Sequence, residues 1–278
     1  MNYFKLAYTT PEVIQKIEAA EAQGRYNEHL DPVDYDNALP VDESFAYVPE
    51  GMLKWKQGIQ RRCLLAPFAW FVNRFVFRTK VYDESGFEAV GQQGMIITCN
   101  HVNKLDSLVV KHALRKKLKE REFKVMVADF NNQKGRLGEY MRAFGILPFP
   151  SKYSVLRRFN QAVSTYLSRG AYILFFPEQS EWWCYEKPRP LKDGAFYYAV
   201  KNNVAVLPIF ITFTKGKKTD ENGIARRRFH VHILKPIYPR ADLAQRDNIA
   251  WMREENARRW EEKYDVFYKL HERFKPGV

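Results

Sequence analysis

Cysteine and long apolar runs are both scarce in this 278-residue sequence. The three cysteines, Cys63, Cys99 and Cys184, lie far apart and none stands in a CxxC spacing, so neither a zinc knuckle nor a disulfide framework is indicated. A reducing compartment is the simplest interpretation. The uncharged apolar stretch at residues 63–73 is short, whereas a membrane-spanning helix needs about 20 residues. The first residues also lack the charged-then-apolar order of a signal peptide, so we expect a soluble or peripheral protein.

Acidic residues are concentrated in the first fifty positions. Residues 1–50 hold three Lys or Arg against ten Asp or Glu, a balance of −7, within a total net charge of +13. Residues 51–278 therefore carry +20, and a body this basic is expected to meet nucleic acid, a phospholipid surface or an acidic protein. We interpret residues 1–50 as an acidic N-terminal arm.

Residues 51–78 combine aromatic rings with cations, as in Trp55 beside Lys54 and Phe75 beside Arg74. Pro67 predicts a break into two helices. Rings flanked by cations suit a membrane interface, where the rings meet acyl chains and the cations face phosphates. We therefore predict an amphipathic, membrane-associated segment, with an ordinary helix that covers the core as the alternative.

From residue 79 onward, apolar runs typical of strands alternate with stretches of helical periodicity. We predict strands at 79–83, 94–99, 123–129, 145–149, 171–176, 204–213 and 228–234. We predict helices at 106–119, 135–144, 153–169, 191–202 and 249–272, besides a short one at 10–24. The pattern indicates an α/β domain at 79–278, with a mostly parallel central sheet of about seven strands and helices on both faces.

A histidine and an aspartate stand five positions apart in CNHVNKLDS, at His101 and Asp106. They follow a predicted strand and precede a predicted helix, and ligands of α/β sheets bind at such carboxyl ends of strands. The same spacing recurs at His29 and Asp34 in a polar stretch without a preceding strand, and we interpret that pair as accidental. From the residues alone, Asp106 is a catalytic group or a helix cap, and His101 is a base or a buried ring.

Two further stretches place cations after predicted strands. In residues 175–196, Glu178 is expected at the same sheet edge as His101, and a cluster of cations follows it: Lys187, Arg189 and Lys192. Residues 144–158 supply Lys152, Arg157 and Arg158. Lys and Arg pair with phosphate oxygens, so these cations indicate an anionic substrate, with a solvated surface loop as the alternative.

Four blocks of sequence occur in an order typical of one family. They are Asn100-His101 with Asp106 after four residues, Gly145-Ile146-Leu147-Pro148, Phe176-Pro177-Glu178 with Lys192-Asp193-Gly194-Ala195-Phe196 after it, and Val206-Leu207-Pro208-Ile209. Over residues 52–240 the chain thereby resembles the glycerophospholipid acyltransferase family, of the lysophosphatidic acid (1-acylglycerol-3-phosphate) acyltransferase type. One block alone is a weak signal, but four in order with matching spacing are a strong one.

The resemblance implies transfer of a fatty acyl group to a lysophospholipid hydroxyl, with 1-acyl-sn-glycerol 3-phosphate as the expected acceptor. The donor is a thioester, either acyl-CoA or an acylated acyl carrier protein, and no metal or other cofactor is required. His101 would be the general base and Asp106 would fix its tautomer, while backbone N–H groups at the start of the following helix would stabilise the oxyanion. The implied substrate-binding residues are Asn100, Lys152, Arg157, Glu178, Lys187, Arg189, Lys192 and Gly194. Such an enzyme is expected in the cytoplasm, peripheral on the inner face of an anionic membrane, without a nucleic-acid partner.

Two positions depart from the family pattern. The arginine that ends the family's second block falls on Ser151, beside Lys152, and the arginine of the third block falls on Glu181. Both family arginines are taken to hold the acceptor's phosphate. Either nearby cations take over this role, or the acceptor carries its charge elsewhere.

Other assignments remain as alternatives. Cys99 could pair with His101 as a nucleophile, and His230 and His232 share a strand face that could bind a metal, although no third ligand is evident. A nucleic-acid-binding protein is the rival from a different class, supported by the charge and by KWKQGIQRR and ARRRFHVH, but without a known motif. A catalytically inactive, lipid-binding family member is a third alternative, given the two missing arginines.

Overall fold

The computed structural model describes residues 7–30, 33–86, 93–118 and 121–273, with side chains described to residue 269. A seven-stranded sheet forms its centre, with strands β1 (Lys80–Asp83), β2 (Met95–Cys99), β3 (Phe123–Ala128), β4 (Ile146–Phe149), β5 (Tyr172–Phe175), β6 (Val206–Thr219) and β7 (Ala225–Ile233). Their order across the sheet is β1-β7-β6-β2-β5-β3-β4.

Most strand pairs in this sheet are parallel, which confirms the predicted α/β architecture. The strands β6, β2, β5, β3 and β4 all run in one direction. At one edge, β7 is antiparallel to β6 and β1 runs parallel to β7, so both are reversed relative to the other five. The reversal arises because β6 continues to Thr219 and turns directly into β7. Its last residues, TKGKKT, are largely exposed and lack the apolar signal on which the predicted end at 213 was based.

Helices cover both faces of the sheet, as predicted. They are α1 (Pro11–Ala22), α2 (Gly51–Gln60), α3 (Ala66–Phe71), α4 (Asp106–Ala113), α5 (Arg115–Leu118), α6 (Gly135–Phe144), α7 (Tyr153–Ser168), α8 (Gly194–Lys201) and α9 (Gln245–Arg273). Successive strand residues point to opposite faces. Ile97 in β2 accordingly joins the apolar cluster that includes α4, whereas its neighbour Ile96 joins the cluster formed with α7 and α8.

The predicted helix break at Pro67 is wrong. Residues 51–76 are helical throughout, because π-helical turns at Arg61–Leu65 and Val72–Val76 join and extend α2 and α3. The N–H of Ala66 donates to the carbonyl of Arg61, five residues back. Pro67, which has no N–H, follows where this wide turn returns to ordinary α-helix, so its missing donor does not interrupt the backbone. We call residues 51–76 the helical segment. In the part of the chain that the structure describes, no helix is long and apolar enough to cross a membrane.

Pro208 lies in an interior strand, although a proline in a strand usually indicates an edge or a bulge. β6 pairs with β2 on one side and with β7 on the other. The ladder with β7 begins one residue later, at Ile209 and Ile233, and the carbonyl of Pro208 accepts the N–H of Leu234 at 2.9 Å. The proline therefore stands where the β7 ladder ends, and its missing donor costs no regular ladder bond.

The acidic N-terminal arm runs along the edge of the sheet at which the five parallel strands end. Asn222, in the turn after β6, donates to the carbonyl of Thr9 at 2.7 Å. The N–H of Leu39 donates to the carbonyl of Asn132, beyond β3, and the hydroxyl of Tyr47 donates to that of Pro148 in β4. The arm thereby reaches the edge at which a ligand site is expected.

Candidate active site

His101 and Asp106 lie together between the end of β2 and the start of α4. His101 Nδ1 is 3.2 Å from Asp106 Oδ2, and the ring stacks on Phe176 with centroids 4.1 Å apart. The same Oδ2 accepts the backbone N–H groups of Val102 at 2.7 Å and Asn103 at 2.9 Å. Because the chain between the two residues wraps around the carboxylate, the aspartate holds both the ring and the loop that carries it.

Asp106 is fully buried, and its Oδ1 has no hydrogen-bond partner among the described residues. Burial raises the pKa of Asp106, and the hydrogen bond and charge interaction with His101 oppose that rise. A positive charge on the imidazole would compensate the buried carboxylate directly. The pair is therefore arranged to stabilise His101 once it has taken up a proton.

The backbone N–H groups that we expected to serve as oxyanion donors have other partners. Those of Val102 and Asn103 donate to Asp106, and that of Leu105 donates to Asn103 Oδ1 at 3.0 Å. These donors fix the turn that joins β2 to α4. These three groups therefore bind within the loop, and oxyanion donors from this turn stay a prediction for its other N–H groups.

Glu178 and Arg189 form a buried ion pair directly behind His101. Arg189 Nη2 lies 2.9 Å from Glu178 Oε2, and the two side chains are each 1% exposed. Glu178 also accepts the backbone N–H of His101 at 3.1 Å and that of Arg189 at 2.9 Å. We expected both residues to bind substrate, but the structure places them as a support for the histidine backbone.

The N-terminal arm helps to hold this buried ion pair in place. Arg189 lies over the ring of Trp182 and donates to the carbonyl of Tyr26, while Trp182 Nε1 donates to the carbonyl of Glu28. Trp183 Nε1 and Asn103 Nδ2 both donate to the carbonyl of Ala7. Adjacent tryptophans in a polar loop were the one available signal, because rings with N–H groups are rarely left in solvent.

The remaining predicted substrate residues are spread over the edge of the sheet. Asn100 binds the backbone of β6, accepting the N–H of Ile211 at 2.8 Å and donating to its carbonyl. Lys187 pairs with Glu21 of the arm. Lys192 lies beside the Glu178 loop, where its N–H donates to the carbonyl of Pro177 at 2.9 Å. Two residues are exposed near α7 and one begins α8: Lys152, Arg157 and Gly194.

The other candidate groups do not form reactive sites. Cys99 is fully buried, and burial raises the pKa of its thiol, which disfavours the thiolate that a nucleophile needs. His230 and His232 stack against Tyr82, and no group of residues suited to a metal ion occurs among the described residues. His29 packs on Phe130, whereas Asp34 binds Asn37, so the second pair at the same spacing does not meet.

Residues 78–212, which contain His101, Asp106 and the Glu178–Arg189 pair, match the protein-family model described as Acyltransferase. These residues form an acyltransferase-family domain. The resemblance expected from the four sequence blocks is thereby confirmed. Among curated proteins, none matches the chain.

The acyltransferase domain also has a relative among solved structures. Its fold is similar to that of the 1-acyl-sn-glycerophosphate (LPA) acyltransferase PlsC from Thermotoga maritima, with a TM-score of 0.51 and 17% sequence identity. The match covers 76% of this chain and 87% of that chain. At this identity the likeness establishes a shared fold, and the reaction has to be argued from the residues of the site.

Proposed function

We propose that this protein transfers a fatty acyl group from an acyl thioester to the hydroxyl of a lysophospholipid, with 1-acyl-sn-glycerol 3-phosphate as the acceptor. The observation that carries the proposal is the His101–Asp106 pair within an acyltransferase-family domain. The histidine side chain is 21% exposed, and its Nε2 has no partner in the described part of the chain. One nitrogen is thus held by the aspartate while the other is accessible to a substrate.

The chemistry follows from this arrangement. A hydroxyl is a poor nucleophile until a base removes its proton, and a neutral imidazole suits that task near pH 7. His101 Nε2 takes the proton while the hydroxyl oxygen attacks the thioester carbonyl carbon. The tetrahedral intermediate collapses, the C–S bond breaks, and the imidazolium returns the proton to the sulfur. Asp106 holds the proton on Nδ1 and stabilises the imidazolium, and no acyl-enzyme forms.

The acceptor's phosphate needs a cation other than the two family arginines, whose positions hold Ser151 and Glu181. Lys187 and Arg189 are taken up by ion pairs with carboxylates. Lys192 pairs with no carboxylate among the described residues and follows the Glu178 loop. We assign the phosphate contact to Lys192, because a point charge on a flexible stem can reach a phosphate beside that loop.

The function is tested by crossing donors with acceptors for the unmodified protein. Acyl-CoA and acylated acyl carrier protein are each combined with 1-acyl-sn-glycerol 3-phosphate, glycerol 3-phosphate and an uncharged lysolipid, and the acylated product is quantified. We expect product with the lysophosphatidic acid acceptor. Absence of product in every combination, together with salt-sensitive retention on DNA or RNA, would favour the nucleic-acid alternative.

Replacing Asp106 with asparagine should separate catalysis from stability. The asparagine oxygen can accept the same three hydrogen bonds as Oδ2, so the loop contacts are retained while the charge is lost and an NH2 group takes the place of Oδ1. We expect turnover to fall by about a hundredfold to ten-thousandfold, since the imidazolium loses its counter-charge. Acyl transfer assays with saturating substrates provide the measurement.

The same variant carries a stability signature. Because the folded pKa of Asp106 is raised, the ionised carboxylate destabilises the fold at neutral pH, and the parent protein gains stability as the pH falls. Urea unfolding should therefore show the stability of Asp106→Asn relative to the parent to be higher at pH 7 than at pH 4, near the ordinary pKa of aspartate. A large loss of stability at pH 7 would instead mark Asp106 as a structural residue.

We also propose that the helical segment docks on an anionic membrane surface. Its outer side exposes large apolar residues and rings together with cations, and these include Met52, Trp55, Leu64, Trp70, Phe71 and Phe75 beside Lys54, Lys56, Arg62 and Arg74. An exposed apolar patch rimmed by cations is typical of a surface that meets lipid. The acceptor and the product of the proposed reaction are both lipids, so docking would bring the site to its substrate.

Removing two apolar side chains from this patch should weaken vesicle binding. We expect Trp55→Ser combined with Leu64→Ser to lower the partition coefficient on phosphatidylcholine–phosphatidylglycerol vesicles by about tenfold to a hundredfold. Full burial of each side chain would contribute about 1.5–3 kcal/mol, and insertion at an interface buries only part of it. Sedimentation with vesicles measures it. Tyr153→Ser combined with Tyr238→Ser removes two exposed rings elsewhere and should leave the partition unchanged. An equal effect of both pairs would contradict docking through the segment.

A further inference from the structure

A cavity of about 740 Å³ lies between the helical segment, α4 and the β1–β7 edge of the sheet. It is separate from the catalytic pair, since neither His101 nor Asp106 is among the described residues that line it. Asn73 of the helical segment closes it against α4 by donating to the carbonyl of Leu108 at 3.4 Å. The volume falls in the range of small-molecule binding sites.

The lining of this cavity is basic on every side and contains no acidic residue among the described ones. Five elements contribute six cations: Arg61 and Arg74 from the helical segment, Lys111 from α4, Arg115 from α5, Lys80 from β1 and Arg228 from β7. Arg78, between the helical segment and β1, also lines the cavity. None of these seven cations forms an ion pair within the described ranges of the chain. Elsewhere carboxylates do meet cations, as in Lys117–Asp83 and Lys263–Glu84. A concentration of cations without counter-charge is a site for an anion rather than a structural network.

Lys111 shows the cost of leaving this charge uncompensated. Its ammonium group lies 4.7 Å from the centre of the Phe144 ring, and the side chain is partly buried. Burial, followed by the nearby charge of Arg61, lowers the pKa of Lys111 to about 8. A bound anion would remove both the repulsion and part of the desolvation cost.

The cavity also has an apolar wall that continues into the exposed patch of the helical segment. Leu65, Ala66 and Ala69 line it, and Trp70 lines it while remaining 56% exposed. Trp70 packs edge-on against Phe75, which belongs to the same patch. A ligand whose charged group enters the cavity would therefore have its apolar part directed along the surface that we propose for membrane docking.

We propose that this cavity binds the phosphate headgroup of an anionic lipid, at a site distinct from the catalytic pair. The recognised chemistry is a phosphate ester attached to an apolar chain: the cations bind the phosphate oxygens, and the wall formed by Leu65, Ala69 and Trp70 contacts the first carbons of the chain. This binding differs from the general attraction between a basic protein surface and an anionic membrane, because the cavity surrounds a single headgroup. It does not require that acyl transfer occurs.

A soluble lipid tests the cavity without a membrane surface. We titrate the full chain with short-chain phosphatidylglycerol below its micelle concentration, and with inorganic phosphate, using isothermal calorimetry. Lys80→Gln combined with Arg228→Gln removes two exposed cavity cations, and Lys217→Gln combined with Lys218→Gln removes two exposed cations of β6 outside it. The two variants have the same net charge. Arg115→Gln supplies an independent cavity variant on α5, should the strand variants alter the thermal unfolding.

We expect the parent to bind short-chain phosphatidylglycerol and the cavity variants to bind it at least about tenfold more weakly, as loss of a charged hydrogen bond implies. The Lys217 and Lys218 variant should stay within about threefold of the parent, since exposed distant charges are screened. Inorganic phosphate should bind more weakly than the lipid, because it leaves the apolar wall unused. Equal losses in both double variants would overturn the site, and phosphate binding as tight as that of the lipid would overturn the lipid assignment.

Discussion

Replacing His101 with alanine will lower the turnover of acyl transfer by about a hundredfold to ten-thousandfold, the range expected when a positioned general base is removed. The ring is the accessible partner of a buried aspartate, and its Nε2 faces no other described group. Because the loss concerns proton transfer, kcat should fall while KM for the acceptor changes little. Steady-state assays with 1-acyl-sn-glycerol 3-phosphate and acyl thioester provide both values.

The chain contains its own control for this experiment. His29 stands at the same spacing from Asp34 as His101 does from Asp106, yet the two groups do not meet. His29→Ala should therefore keep the parental turnover. If His101→Ala retained full activity while its unfolding matched that of the parent, the proposed base would be wrong even though the family assignment would stand.

Replacing Arg189 with methionine will destabilise the fold by about 3–5 kcal/mol at pH 7, because it leaves the carboxylate of Glu178 buried without its counter-charge. The side chains are too well buried for solvent to screen the loss. The backbone N–H of His101 donates to the same carboxylate, so activity should fall as well. Urea unfolding monitored by tryptophan fluorescence measures the stability change.

Two comparisons make the Arg189 experiment specific. Arg253→Met removes an ion pair with Asp193 whose partners are 32% and 60% exposed, and it should cost less than about 1 kcal/mol. Adding Glu178→Gln to Arg189→Met should restore part of the stability, since the uncompensated charge is gone while the amide oxygen can still accept backbone N–H groups. If Arg189→Met lowered the free energy of unfolding no more than Arg253→Met does, the buried ion pair would not stabilise the fold as expected.

The positions of the reactive groups could be predicted from the sequence because they depend on where individual strands end. Apolar runs predicted where β2 and β5 end, and parallel strands bring their carboxyl ends to one edge. His101 and Glu178 were therefore expected to be close, and β2 and β5 are indeed neighbours in the sheet. The continuity of the helical segment was missed, because a π-helical turn before Pro67 leaves no mark in residue periodicity.

The role of Arg189 could not be predicted, because it depends on contacts between distant parts of the chain. In the sequence it is one of several cations after a strand, and nothing distinguishes it from Lys187 or Lys192. Its burial results from Trp182 and from the carbonyl of Tyr26, which is 163 residues away. A charge that is enclosed by its own protein supports the site, whereas the same residue type in solvent could bind a substrate.

The contacts of the N-terminal arm have a consequence for synthesis on the ribosome. The arm leaves the ribosome before the domain that it contacts, and the partner of Glu28 is Trp182, which is 154 residues further along the chain. At about 5–20 residues per second, roughly 8–30 s pass before this partner is translated. During that time the carbonyls of Tyr26 and Glu28 lack the side chains that bind them in the finished fold, and the carbonyl of Ala7 lacks one of its two. The arm is thus made well before several of its partners, and a nascent chain that stops before residue 182 contains His101 and Asp106 without the Arg189 that supports them.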